Sequence, residues 1–199
     1  MTVSEEDARF VTVDLGPWFN NKCAGFPEQR AIIDTTGLGN GFAAEELPPP
    51  GGVYWHEGVP FRVPDFRAAA DNLLLEGASV AVPRGPCRAL HFWGFADTSL
   101  IEARLVLVFA GGARRGAGLE FSSWTAVGPS CRGERLGARS CTVRTRGRDV
   151  SLVINSYVQT VAVEAEDDLV AIEFDDAPVV HILALTLGRP AGGEGGPGS

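Results

Sequence analysis

Little in this chain points to a membrane, a nucleic acid or a metal centre. No apolar run approaches the ~20 residues that span a bilayer, and Met1–Asp7 has neither the basic start nor the apolar stretch of a secretory signal. A cytoplasmic location is therefore expected, with no membrane partner. Seventeen Lys and Arg stand against 25 Asp and Glu, a net charge of −8, which is the opposite of a nucleic-acid footprint. Lysine occurs only once, as Lys22. The arginine-heavy remainder, with abundant Ala and Gly, has the character of a GC-rich bacterial coding sequence. The four cysteines, Cys23, Cys87, Cys131 and Cys141, show no CxxC spacing and no histidine at zinc-site intervals. Cys131 and Cys141 could face each other across a hairpin, although a reducing compartment disfavours the bond. A GxSxG elbow is missing, and Gly37–Gly41 lacks the Lys-Ser/Thr end of a phosphate loop.

What the chain does have is turn-rich apolar sequence. In 199 residues there are 25 Gly and 13 Pro among 45% hydrophobic residues, which suits an all-β architecture in one domain. Phe10–Leu15 and Val179–Leu187, one near each end, are β-branched apolar segments that read as strands of one layer. Between them, strand candidates lie at 53–55, 61–63, 72–75, 79–82, 89–95, 103–109, 118–121, 140–144, 151–163 and 168–174. They recur every ~8–12 residues, the rhythm of an antiparallel β-sandwich. The stretch from Trp18 to Val63 reads as irregular, with one short helical turn at Ala43–Leu47 before the prolines. A loop that long is expected to be functional. The domain is expected to cover 1–188, with a disordered Gly/Pro-rich tail at 189–199.

The pieces Val13–Asn21, Ala44–Pro48 with Gly51-Gly52, Gly58–Pro64, Asp71-Asn72 with Gly77, Ala89–His91, Ser123–Thr125 and His181–Leu187 occur in that order. Together they resemble the accessory β-sandwich domains, galactose-binding-like jelly rolls, that are appended to bacterial glycoside hydrolases of the fucosidase and mannosidase type. The resemblance implies a jelly roll with carbohydrate as its ligand class, and it names no catalytic residue.

Candidate groups follow from residue type. Trp18, Tyr54, Trp55 and His56 offer flat rings with polar handles for stacking on a sugar or another small molecule, Trp55 being the best placed for exposure. Trp93 and Trp124 sit in apolar context and read as core. Asp14, Asn20 and Asp34 offer hard oxygens for Ca²⁺, yet Asn and Asp beside Gly are also ordinary turn residues. His91 and Glu45 are the candidate acid or base; His91 shares a strand face with Trp93, and that face could line a pocket between sheets. Two readings stay open: a stand-alone module that binds carbohydrate or a glycosylated small molecule, and a small cyclase-type enzyme of specialised metabolism that needs only an apolar pocket and one acid or base. A non-catalytic assembly role is a third. Oligomeric state is not legible.

Overall fold

A computed structural model describes residues 9–98, 101–164 and 167–190, with only the backbone of Ile101. Among the described residues fourteen strands run in chain order: β1 Phe10–Val13, β2 Ala24–Gly25, β3 Asn40–Ala43, β4 Val53–His56, β5 Val59–Arg62, β6 Leu73–Glu76, β7 Ser79–Gly85, β8 Ala89–Ala96, β9 Ile101–Phe109, β10 Arg114–Phe121, β11 Arg135–Thr145, β12 Asp149–Ala162, β13 Leu169–Phe174 and β14 Asp176–Gly188. The fold is all-β and sandwich-like. An eight-stranded sheet has the order β1-β14-β8-β12-β11-β3-β2, with β6 also on β14, and a four-stranded sheet has the order β10-β9-β13-β7. Among the described residues every pairing between these strands is antiparallel except the short β2–β3 contact, and an isolated parallel bridge joins Ala96 to Ser123.

The chain ends meet as their apolar patterns anticipate: Val13 lies opposite Leu185 and Phe10 opposite Gly188. Alternation along β9 sends Leu105, Leu107 and Phe109 into the core. All ten internal strand candidates are present, several of them longer than their apolar runs. The helical turn at Ala43–Leu47 is a 3₁₀ turn over Ala44–Glu46. The irregular stretch holds more order than expected, namely β2 and β3. Cys131 and Cys141 remain free thiols, as do Cys23 and Cys87. Among the described residues no helix is long and apolar enough to cross a membrane. Of the expected tail, 191–199 lies outside the described residues, whereas the Arg189 amide bonds the Arg9 carbonyl at 2.8 Å.

The large sheet is covered on both faces, and this positions the site. Leu90 and Phe92 of β8 face the small sheet, where the Phe92 ring meets Phe174 edge-on at 6.2 Å. His91, Trp93 and Phe95 face the other way. Trp93 is overlaid by Tyr54 at 5.2 Å and Phe61 at 6.4 Å, both from the β4–β5 hairpin. The sheet also curls, so that Phe42 of β3 packs on Phe95 at 5.2 Å. The segment between β1 and β6 is thus largely a cover on the outer face of the large sheet. The hairpin turns through Glu57 at φ 48° and Gly58 at φ 81°, the pair of positive φ values that a two-residue type I′ turn demands.

Candidate functional site

Strand alternation divides the aromatic cluster of β4. Tyr54 and His56 point down onto β11: the Tyr54 hydroxyl donates to Gly137 O at 3.3 Å and His56 Nε2–H donates to Leu136 O at 2.8 Å. Both clamp the hairpin to the sheet. Trp55 points the other way and is 55% exposed. It lines a groove of about 590 Å³ together with Phe10, Glu57, Arg88, His91 and Arg189. The structure therefore brings together Trp55 and His91, a ligand candidate and an acid–base candidate, and separates both from Tyr54, His56 and Glu45.

His91 lies opposite Thr160 on β12 and Thr186 on β14. Its Nδ1 bonds the Thr160 hydroxyl at 2.9 Å, and Phe10 meets its ring edge-on at 5.7 Å. A side chain at Gly188 would place its Cβ 3.1 Å from His91 Nε2, so the glycine keeps that nitrogen clear. Burial lowers the His91 pKa below the usual histidine value, which leaves a neutral imidazole at neutral pH. The face it shares with Trp93 lies under the hairpin and away from the small sheet, so no pocket between the sheets is involved.

The groove is basic although the chain is acidic. Among the described residues Arg9, Arg88 and Arg189 stand against Glu57 alone, and Glu57 is 3.8 Å from Arg135. Arg189 donates to the neutral carbonyls of Pro86 at 2.7 Å and Pro83 at 2.8 Å, which orders its guanidinium without cancelling its charge.

The remaining candidates sit elsewhere. Glu45 is held by Arg144 through two bonds of 2.8 and 2.7 Å, and those bonds lower its pKa. With Glu46 bonding Ser140, Thr142 and the Cys141 amide, it fastens the 3₁₀ turn onto β11 and stays a carboxylate. Trp18 is partly buried against the core. Asp14 accepts the Gly16 amide at 3.1 Å and pairs with Arg62 at 3.1 Å. Asn20 bonds the backbone of Leu74 in both directions, and Asp34 accepts from the Gly39 amide and from Arg146. Asn20 and Asp34 line one groove and Asp14 another. Among the described residues no three His, Cys, Asp or Glu side chains gather as a metal set.

A feature that sequence reasoning missed is a buried polar chain reaching the groove of Asn20 and Asp34, about 540 Å³ in volume. Lys22 and Asp71, 4% and 0% exposed, pair at 2.9 Å. Asn72 bonds Asp71 at 3.1 Å and His181 at 2.9 Å, and His181 Nε2 lies 4.0 Å from Asp97. The signal was present in the lone lysine, but its partners stand about 50 to 160 positions away.

The chain matches no protein-family model, and no curated protein matches it.

Proposed function

We propose that this chain is a carbohydrate-binding β-sandwich module, of the jelly-roll, galactose-binding-like kind that its sequence resembles, and that it takes an acidic sugar in the Trp55 groove. The observation that carries the reading is the half-exposed Trp55 ring at the mouth of a groove walled by arginines and by His91. An indole face stacks on the C–H face of a pyranose. Guanidinium groups suit a sugar carboxylate because their paired N–H donors match its two oxygens. His91 Nε2, a lone pair while the ring is neutral and Nδ1–H donates to Thr160, accepts from a sugar hydroxyl. Four free thiols accord with the cytoplasmic location read from the sequence.

His91 also favours a second reading. A neutral imidazole beside an exposed indole is what a cyclase-type enzyme needs as its one base; in that case His91→Gln would abolish turnover in a folded protein.

Trp55→Ala separates binding from stability. Affinity for glucuronic acid, followed by calorimetry, is expected to fall about tenfold, ~1.4 kcal/mol. The melting temperature should move by less than about 2 °C, because a half-exposed ring carries little of the core. Unchanged affinity with lost stability would refute the assignment.

A further inference from the structure

In the groove of Asn20 and Asp34 the hydrogen-bond directions are forced one after another. Asp71 is a carboxylate and only accepts: from Lys22 Nζ at 2.9 Å, from the amides of Cys23 and Ala24 at 2.8 and 3.1 Å, and from Asn72 Nδ2 at 3.1 Å. Asn72 therefore turns its nitrogen to Asp71 and to Asn21 Oδ1, leaving Oδ1 to accept from His181. His181 must carry its proton on Nδ1. In the neutral ring Nε2 is a bare lone pair, and it faces the Asp97 carboxylate, itself an acceptor, at 4.0 Å.

His181 is wholly buried and stacked on Phe95, with ring centroids 4.6 Å apart, and its Nε2 has no hydrogen-bond partner among the described residues. Of the His181 and Asp97 pair, Asp97, 14% exposed, is the one that lines the groove. No other basic side chain lies within 4 Å of its carboxylate among the described residues. Asp34 and Glu76 stand on the same wall; Lys22, the lysine of the lining, is committed to Asp71, and Arg146 nearby is committed to Asp34. Ile32, Leu74 and Pro178 supply an apolar side.

We propose that this groove binds an organic ammonium ion through Asp97, and that His181 behind it makes no contact with the ligand and acts only through its proton, which competes with that ligand for Asp97. An ammonium brings positive charge and only donors, which complements a carboxylate wall of acceptors. When His181 takes up a proton, Nε2–H donates to Asp97 and cancels the charge that held the ligand. Burial, the larger influence, lowers the His181 pKa and Asp97 raises it in part, so this competition sets in below the usual histidine range. The groups facing His181 across the packed elements are Asp97, Asp71 and, through Asp71, Lys22. The site is separate from the Trp55 groove and does not rest on the sugar reading.

The test uses benzylamine, with benzyl alcohol as its neutral counterpart, titrated into the ¹⁵N-labelled full chain by NMR. Benzylamine is expected to saturate at about pH 8 and to bind about fivefold more weakly near pH 5, as linkage to the His181 proton requires. Benzyl alcohol should not saturate. Asp97→Asn should weaken benzylamine about tenfold at the higher pH, whereas His181→Gln should keep the affinity there and lose the pH dependence. In the unaltered chain, which avoids any folding defect of a variant, benzylamine should lower the titration midpoint of the His181 ring, because coupling is reciprocal. Absence of saturable benzylamine binding, equal binding of the alcohol, a pH dependence that survives in His181→Gln, or an unmoved His181 midpoint would each overturn the proposal.

Discussion

Asp71→Asn is expected to remove a large share of the folding stability. Asp71 is completely buried and accepts from an ammonium, two backbone amides and the Asn72 amide. A side-chain amide cannot accept on both arms, so at least one donor is stranded, and Lys22 keeps its charge with only Phe66 O, at 2.7 Å, to meet it. Breaking a buried ion pair from one side costs about 3–5 kcal/mol, against a total of roughly 5–15 kcal/mol for a natural domain. Lys22→Met should be milder, because the Asp71 carboxylate would keep three N–H donors. Urea unfolding of the two variants checks both the size and the order. A loss under about 1 kcal/mol for Asp71→Asn would mean that the pair is hydrated in solution.

Trp93→Ala should be comparably severe, about 3–5 kcal/mol and roughly 10 °C in melting temperature. The ring has no exposure, its Nε1–H donates to Ser156 Oγ at 2.7 Å, and Tyr54 and Phe61 rest on it. Truncation removes the bond to Ser156, whose hydroxyl keeps Ala138 as its partner, and opens a cavity under the hairpin that carries Trp55. Sugar binding should therefore fall along with stability, unlike the Trp55→Ala outcome. Thermal melts with limited proteolysis of the hairpin would check it; a variant that melts within about 2 °C of the parent would remove Trp93 from the core.

Much of the sandwich was legible in the sequence because its strands are written as apolar runs between turn residues. Leu105–Phe109 is a continuous apolar run whose alternate residues Leu105, Leu107 and Phe109 are buried, and the β-branched segments at the two ends pair with each other. The strands β2 and β3 were not legible: Ala24-Gly25 and Asn40–Ala43 carry no β-branched residue, and their order comes from tertiary contacts. Asp71 fixes the amides of Cys23 and Ala24, and the Phe42 amide donates to Cys23 O at 2.8 Å. Such long-range bonds leave no local periodicity. The covering role of the segment before β6 was hidden for a related reason, since a clamp such as Tyr54 on Gly137 spans 83 positions.

The site was half legible. Exposure of Trp55 followed from its turn-rich surroundings, and His91 followed from its strand, but their meeting depends on the β4–β5 hairpin folding over the outer face of β8. Glu45 read as a free carboxylate because Arg144, 99 positions on, is invisible as its partner. His181 stands in an apolar run that gives no hint of a site, and only the amide orientation of Asn72 exposes the lone pair on its second nitrogen.

Chemical-shift mapping with glucuronic acid on the ¹⁵N-labelled chain tests the Trp55 groove most directly. The expected result is a saturable shift of the Trp55 indole N–H, accompanied by the Glu57–Val59 turn, the Arg88–His91 strand start and Arg189, with glucose giving markedly smaller shifts at the same sites. Saturable shifts confined to another face, or glucuronic acid leaving the Trp55 indole unmoved, would contradict it.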